Sequence, residues 1–374
     1  MIHRRYLAAV LIFGSAWIVS ILGFSLIIDP YGVSPLGVTW SHINKFKPRR
    51  LDIDRLIKPY EVWRYQPRTV FLGTSRIQQS IDPAVLDGTM YAPAYNASVP
   101  ASTLELNLSY LREYLRLDPR LHTVVVELFV YQFLVPQRPQ AADSPMTFLA
   151  NTTSLFLSTD ALWASIVTVD YNLFTNVPHQ EIKPGGYFYY PPGLDVKGPF
   201  DAYPRGRWKP GTGVESLQLQ ESAMDVIDEV IALCRERNLE LIFVLTPNHA
   251  YDDYYIESIG AWETIRQWLE RIAARATVYS FSQPNAWLYE PVGHHMTYWN
   301  DPIHFSLEMG RAMELEMIGK KPPGAPDNFM LRLTPDNVAK YIESRKHGIR
   351  QWASENGEFV AKLDAARREY EAAR

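Results

Sequence analysis

The chain has 374 residues, of which 47% are hydrophobic and 21% charged, a composition typical of globular proteins and unlike that of disordered or fibrous ones. This length is sufficient for one large core or two modest ones. The formal net charge is -4 and the Lys and Arg residues are scattered along the chain, so the composition argues against nucleic acid as a partner.

The first predicted element is a membrane anchor. Residues 6–28, YLAAVLIFGSAWIVSILGFSLII, carry no charge and are long enough to cross the roughly 30 Å hydrocarbon core of a bilayer as one helix. His3, Arg4 and Arg5 precede this stretch, so the positive-inside rule predicts a cytoplasmic N-terminus and an extracytoplasmic main domain. A cleaved signal peptide is the alternative, but the following LIIDPYG offers no small-x-small cleavage site. We expect residues 1–29 to form a cytoplasmic stub and an uncleaved single-pass anchor.

A connector and an α/β body follow the anchor. Residues 30–66 are rich in Lys, Arg and Trp, and we expect this connector to lie along the lipid headgroups. Over residues 67–320, short apolar runs alternate with amphipathic stretches; the runs are TVFLG (69–73), MYAPAYN (90–96), TVVVELFV (123–130), LELIFVLT (239–246) and ATVYSF (276–281). Continuous apolar strands that alternate with helices are typical of a parallel sheet covered on both faces. The pattern predicts a doubly wound α/β fold with a flavodoxin-like parallel sheet.

An aromatic and proline-rich insertion interrupts this alternation at residues 137–213. The insertion includes PGGYFYYPPGLDVKGPFDAYPRGRW, which is too rich in proline for a central strand and too aromatic for disorder. Loops this long in a compact domain are usually functional or disordered. We expect a lid or a substrate-gripping surface, with a purely structural excursion as the alternative.

The C-terminal region, residues 321–374, reads as a linker followed by one or two helices. KKPPGAPDN is typical of a linker, and from residue 334 onwards apolar side chains recur at helical spacing, namely Val338, Tyr341, Ile342, Ile349 and Trp352. Such an amphipathic tail packs either on the α/β body or on a partner.

Ser75 is the first candidate for chemistry. It lies in FLGTSRIQ (71–78), directly after the first predicted strand, and ligands of open parallel sheets bind at the carboxyl ends of the strands. Serine is also a preferred helix N-cap, which is the alternative role for Ser75. A nucleophilic serine needs a base and an orienting carboxylate elsewhere in the chain.

YWNDPIHFS, late in the α/β region, supplies both groups. Asp301 and His304 are three residues apart, so in a turn the carboxylate can orient the imidazole while the ring takes a proton from a serine. His294 and His295 lie nearby, but they lack Cys partners and a repeated helical spacing, and we expect no metal site. The chain has no phosphate-binding glycine loop, and we expect no cofactor.

Four short motifs, taken in chain order, resemble a known superfamily. Gly-Thr-Ser (73–75), YNASVPAST (95–103), VVVELFVYQ (124–132) and Asp-Pro-Ile-His (301–304) are similar to blocks I, II, III and V of the SGNH (GDSL-like) hydrolases. The most similar branch consists of membrane-anchored extracytoplasmic proteins with Gly-Ser/Thr-Ser-Arg in block I, as in alginate O-acetylation proteins and DltD-like proteins. The resemblance covers roughly residues 67–320, and the anchor is shared.

The resemblance implies the roles of the catalytic groups. Ser75 would be the nucleophile, His304 the general base and then acid, and Asp301 the carboxylate that orients the ring. The oxyanion hole of the family uses two backbone N–H groups, which here would come from Ser75 and Ala101.

Block III departs from the family pattern. The family places an Asn there as a third oxyanion donor, whereas this chain has Phe-Val-Tyr at residues 129–131, and Ala101 stands where glycine is usual. A missing donor costs about 3 kcal/mol of transition-state stabilisation. Asn248, in the TPNHA that follows a later strand, is the candidate substitute, and His249 beside it is a candidate substrate contact.

The resemblance further implies a location, a reaction and partners. We expect a bacterial inner-membrane protein whose periplasmic domain is a serine O-acyltransferase or esterase acting on acyl esters, with acetyl as the acyl group, of an exported polysaccharide. A membrane-bound O-acyltransferase is the expected protein partner. The alternative is a non-catalytic scaffold or carbohydrate-binding protein of the same fold, which the altered block III favours.

Overall fold

The computed structural model describes residues 2–134, 145–178, 180–190, 195–208 and 219–373. The helices are α1 (Ile2–Ile28), α2 (Asp54–Tyr65), α3 (Ser75–Ser80), α4 (Leu104–Leu117), α5 (Tyr131–Leu134), α6 (Pro145–Ser154), α7 (Thr159–Asp170), α8 (Lys197–Arg207), α9 (Glu221–Glu236), α10 (Ala250–Ser258), α11 (Trp262–Ala273), α12 (Leu307–Met317), α13 (Pro335–Glu355) and α14 (Gly357–Ala372). The strands are β1 (Thr69–Leu72), β2 (Ala94–Asn96), β3 (Thr123–Leu128), β4 (Glu181–Ile182), β5 (Phe188–Tyr189), β6 (Glu240–Leu245), β7 (Thr277–Ser280) and β8 (Leu331–Leu333).

A six-stranded, mostly parallel sheet organises the larger part of the chain. Its strand order is β2-β1-β3-β6-β7-β8, and only β8, at one edge, runs antiparallel to its neighbour. Every residue of β1 and β3 is buried, as expected for apolar strands that lie at the centre of a sheet. The five predicted apolar runs all contain strands of this sheet, and the α/β class is confirmed.

The C-terminal residues complete the same sheet and its covering. Strand β8 begins shortly after the predicted linker, and this three-residue strand was not predicted. Helix α13 packs against α10 and α11, and α14 packs against α8 and α10. The five apolar positions of the predicted tail are all buried, because this face of α13 lies on the α/β body.

The chain divides into two compact units. The first contains the described residues of Met1–Tyr65, Asp143–Lys183 and Phe188–Pro191, and the second contains those of Gln66–Ala142, Pro184–Tyr187 and Pro192–Arg374. The second unit therefore extends from the start of the sheet through α14, beyond the predicted body that ended at residue 320. The predicted insertion is shared between the units.

The described part of the insertion is mostly helical. It contains α6, α7 and α8 together with a small antiparallel pair, β4 with β5, that is separate from the main sheet. Helices α6 and α7 pack in the first unit, against α2 and α1 respectively, whereas α8 belongs to the second unit. Residues 137–144, 179, 191–194 and 209–213 of the predicted insertion lie outside the described residues.

Candidate active site

The turn after β1 places Ser75 at the start of α3. Position 73 has no room for a side chain, because a Cβ there would lie 2.8 Å from both the Glu127 carboxylate and the Ile77 side chain. Thr74 is the N-cap of α3, and its hydroxyl accepts a hydrogen bond from the N–H of Arg76 at 3.3 Å. The alternative role for Ser75 as the N-cap is therefore wrong, and its hydroxyl is not used to start the helix.

A second turn, just before α12, holds His304. Asp301 Oδ1 accepts hydrogen bonds from the backbone N–H groups of Ile303 and His304, both at 2.8 Å. Its other oxygen, Oδ2, lies 2.6 Å from His304 Nδ1. One carboxylate therefore fixes both the backbone of the turn and the plane of the ring.

The two turns meet although they are far apart in sequence. Ser75 Oγ lies 2.8 Å from His304 Nε2, across 229 positions of the chain. Because Nδ1 donates to the carboxylate, Nε2 is the unprotonated nitrogen and accepts the Ser75 proton. The structure thus brings together Ser75, His304 and Asp301, the three residues that the sequence nominated for catalysis.

The carboxylate of this triad is held in its ionised form. Partial burial acts to raise the pKa of Asp301, but the hydrogen bonds from the His304 ring and from the two backbone N–H groups outweigh it. The pKa of Asp301 consequently lies below its usual value. An ionised Asp301 favours the tautomer of His304 that leaves Nε2 free to accept a proton.

The site lies where the strand order reverses. The chain proceeds from β1 to β2 on one side and then to β3 on the other, so β1 and β3 flank a crevice at their carboxyl ends. Such a switch point is where open α/β sheets bind ligands. Ser75 follows β1, and Glu127 lies near the end of β3.

A buried ion pair that was not predicted from the sequence links the Ser75 turn to neighbouring segments. Arg76 and Glu127 are 1% and 0% exposed, and their charged groups are 3.8 Å apart. Glu127 accepts from the Thr74 N–H at 2.7 Å and from the Thr246 hydroxyl at 2.9 Å. The Glu127 carboxylate therefore links the turn that contains Ser75 to the loop after β6.

The guanidinium of Arg76 links the same turn to the histidine turn. Its Nε donates to the Ile303 carbonyl at 2.7 Å, one residue before His304, and its Nη2 donates to the Pro247 carbonyl. The Phe129 ring covers the guanidinium at 4.3 Å. Burial lowers the pKa of Arg76 from its usual value, yet the donors remain paired with carbonyls and carboxylate.

An open cleft of about 310 Å³ adjoins Asp301, the carboxylate of the triad. One wall is the turn that contains Asp301, Pro302 and Ile303, and the other is α8, from the predicted insertion. Tyr203 and Arg207 are the polar side chains that α8 contributes. Part of the insertion therefore lies beside the site, and its expected role as a lid or a substrate-gripping surface stays a prediction.

The α8 wall of the cleft is rigidly supported. Asp252, fully buried on α10, accepts hydrogen bonds from Tyr131 at 2.7 Å, from Arg207 at 3.1 Å and from Tyr203. The Arg207 guanidinium also lies 4.2 Å from the centre of the Tyr131 ring. Burial raises the pKa of Tyr131 and of Tyr203 well above the usual value, so both remain hydroxyl donors.

His249 does not face the cleft, and its nomination as a substrate contact is corrected. The ring is fully buried, Nδ1 accepts from the Tyr251 N–H at 3.1 Å, and Nε2 lies 2.9 Å from the Glu290 carbonyl oxygen. Rings of Phe200, Trp299 and Trp352 surround it at 5.0, 5.4 and 6.1 Å. His249 is the N-cap of α10, and burial lowers its pKa to about 4.

The residues nominated for the oxyanion hole follow three strands of the main sheet, β1, β2 and β6. Asn248 follows β6 and is 3% exposed, and its Oδ1 is buried without a hydrogen-bond partner among the described residues. Ala101 is exposed after β2 and has a left-handed φ of 53°, a conformation that suits the glycine usual in the family. In block III, Gln132 bridges the Phe129 N–H at 3.3 Å and the Ser102 carbonyl at 3.2 Å. The roles of Ser75, Ala101 and Asn248 as oxyanion donors stay predictions.

Comparisons with known proteins and a search for metal ligands add no further groups. Searches against protein-family models, curated proteins and solved structures return no match for this chain. Within the described ranges, no group of three or more His, Cys, Asp or Glu residues is arranged to hold a metal ion.

Proposed function

We propose that the protein is a membrane-anchored serine O-acyltransferase or esterase of the SGNH type. The observation that carries the proposal is the pair of contacts made by His304, 2.8 Å to Ser75 Oγ and 2.6 Å to Asp301 Oδ2. A serine, an imidazole and a carboxylate in this order form the relay that activates a serine for attack on a carbonyl carbon.

The reaction would take place in two halves. In the first, Ser75 Oγ bonds to the acyl carbon of a donor ester and its proton moves to His304 Nε2; the ester C–O bond then breaks and the leaving alcohol takes that proton. In the second, an acceptor hydroxyl or water gives its proton to Nε2 while its oxygen bonds to the acyl carbon. Ser75 then leaves and recovers the proton.

The substrate would approach through the cleft beside α8. Tyr203 and Arg207 line this cleft, and because their polar groups are bonded to Asp252 and to each other, they form a fixed polar and aromatic wall. By resemblance, the acceptor is an exported polysaccharide, the group transferred is acetyl, and the protein partner is a membrane-bound O-acyltransferase.

The anchor and the sheet topology support the same proposal. Helix α1 is long and apolar enough to span a membrane. The positive charges before it favour a cytoplasmic N-terminus and a periplasmic catalytic unit. The order of the parallel strands, β2-β1-β3-β6-β7, is that of flavodoxin-like doubly wound sheets.

Covalent labelling of the full-length protein tests the proposal. We expect a fluorophosphonate probe to label the wild type once and the Ser75→Ala variant not at all, because only an activated serine reacts with it. The matched control is Ser222→Ala, which removes an exposed serine from the first turn of α9 and should leave labelling unchanged.

A non-catalytic scaffold is the second candidate. It is favoured by the Phe129 ring, which covers Arg76 in block III, where the family has an Asn donor. Folded wild-type protein that does not label, or labelling that survives Ser75→Ala, would contradict the catalytic proposal. The first result would support the scaffold.

A further inference from the structure

The first unit presents a large apolar surface that the proposed chemistry does not use. We call this surface the α7 face. It consists of apolar side chains of α7 and of the segment that follows it, listed here with their exposed fractions: Trp163 (59%), Ile166 (46%), Leu173 (53%), Phe174 (81%) and Val177 (49%). Exposed patches of this kind mark contacts with another protein or with a membrane.

The α7 face is one side of a helix whose other side packs on the anchor. Ala161 and Ala164 are buried in a cluster against which Leu22 and Leu26 of α1 pack. Trp163 and Ile166 lie on the opposite, exposed side of α7. The exposed side of α7 therefore lies at the same level along the axis of α1 as the last turns of the anchor.

The length of α1 indicates that this level is inside the bilayer. Residues 6–20 of α1, which are almost all exposed, rise only about 22 Å along the helix axis. The hydrocarbon core is about 30 Å thick, so the exposed part alone does not cross it. A core of this thickness that begins at Tyr6 ends about 20 residues later, so it includes Leu22 and reaches its boundary near Leu26, where α7 packs on the anchor.

Hydrogen bonds fix the turn after α7 near the end of the anchor. Asn44 donates to the Ile28 carbonyl at 3.0 Å, which holds the connector at the end of α1. Asn172 then accepts from the Phe46 N–H and donates to its carbonyl, both at 2.9 Å. Leu173 and Phe174 follow directly, close to the level at which the apolar stretch of α1 ends.

Charge distribution favours lipid over a polar partner. Residues 148–178 contain only two charged side chains, Asp160 and Asp170, one in the first turn of α7 and one at its last residue. The connector has exposed apolar residues of its own, including Trp40 (41%), and the exposed Lys45 nearby. Aromatic and basic residues beside an apolar face are typical of the headgroup boundary.

We propose that the α7 face is embedded in the extracytoplasmic leaflet, in contact with lipid acyl chains. The first unit would then hold the protein in the membrane by two elements, the spanning α1 and the partly immersed α7 with the turn that follows it. This inference rests on the membrane anchor of the proposed function. Its test therefore measures the immersion of the α7 face and the insertion of α1 separately.

Spin labels on the full-length protein in phospholipid vesicles provide that test. Labels are attached to Phe174→Cys on the α7 face, Phe13→Cys in α1 and Glu236→Cys on α9, in each case with Cys234→Ser. Oxygen partitions into lipid and a nickel chelate into water. We expect labels at 174 and 13 to collide more with oxygen than with nickel, and the label at 236 to show the reverse.

The outcomes distinguish the two proposals. Nickel access at 174 equal to that at 236, together with lipid exposure at 13, would overturn the inference and leave the anchor intact. Water exposure at 13 would contradict the anchor itself. A label at 174 reached by neither reagent would show that protein covers the face, and it would also overturn the inference.

Discussion

Two loops at the carboxyl edge of the sheet each contain a histidine, and the two rings differ in every property that matters for chemistry. The loops touch, because the N–H of His249 donates to the Pro302 carbonyl at 3.0 Å. Yet the His249 ring is fully buried and both of its nitrogens are hydrogen-bonded within the fold. The His304 side chain is 18% exposed, and its Nε2 faces the Ser75 hydroxyl.

The difference lies in the partners of each ring, since both residues are histidines in neighbouring loops. His304 has an ionised carboxylate on one nitrogen, which stabilises the ring when the other nitrogen takes a proton. His249 has only a backbone carbonyl and aromatic rings around it, and burial lowers its pKa to about 4. A ring that resists protonation in this way supports a fold but does not carry protons.

The largest expected effect is on turnover, when each of the two histidines is replaced by glutamine in turn. We expect His304→Gln to reduce acyl-transfer or esterase turnover by at least about 10³-fold, because Ser75 loses its base. We expect His249→Gln to keep turnover within a few-fold, measured on the fraction of protein that is folded. Equal losses in the two folded variants would contradict the distinction between the loops.

Removal of the buried ion pair should have an intermediate effect. Arg76→Met alone leaves Glu127 as an unpaired buried charge, which costs about 3–5 kcal/mol of stability, so the test uses Arg76→Met with Glu127→Gln. Arg76 acts on His304 through the Ile303 carbonyl, and a loosened turn should lower kcat by about 10- to 100-fold with little change in KM.

An ion pair of the same unit with one exposed member, Arg311, and one buried member, Asp82, provides the control for this variant. Arg311 pairs with Asp82 at 2.8 Å and is 46% exposed, and Arg311→Met should leave kcat unchanged. A folded double variant at positions 76 and 127 with wild-type kcat would show that the pair supports the fold without positioning the histidine.

The smallest expected effect concerns stability and its dependence on pH. We expect His249→Gln to cost about 1–3 kcal/mol at pH 7, because buried partners lose a well-placed ring. The folded pKa of about 4 lies below the ordinary 6.5, so between these values the unfolded state binds more protons. The stability from the neutral ring is present above pH 6.5 and is lost as the pH falls to about 4, by roughly 3 kcal/mol.

Denaturant unfolding of both proteins from pH 7 to pH 4 measures this difference. Subtraction of the two curves removes the contributions of other buried titratable groups. The stability advantage of the wild type should shrink on acidification. An advantage that is constant across this range would contradict a neutral, buried His249.

The sequence predicted the strands well where apolar runs are continuous. TVFLG and TVVVELFV became β1 and β3, because such runs are buried on both faces of a central strand. The run MYAPAYN yielded only Ala94–Asn96, after its proline. Strand β8 was missed because three residues are too few to show an alternation.

The sequence was sufficient to select candidate site residues that belong to a short motif. It was not sufficient to predict contacts between residues from distant segments of the chain. Ser75, Asp301 and His304 could be found from spacing and order. Glu127 carried a signal that was overlooked, since a charge inside an apolar strand needs a buried partner. The burial of His249 had no local signal, because Phe200, Trp299 and Trp352 come from three separate segments.

Capture of the covalent intermediate tests the central claim most directly. Full-length protein is incubated briefly with 4-nitrophenyl acetate, quenched in acid, digested and analysed by mass spectrometry, with His304→Gln treated in parallel. We predict one added acetyl group on the wild-type peptide that contains Ser75, and none on the same peptide of the variant. Acetylation that is absent from Ser75 in folded wild-type protein, or equal in the two proteins, would contradict the account.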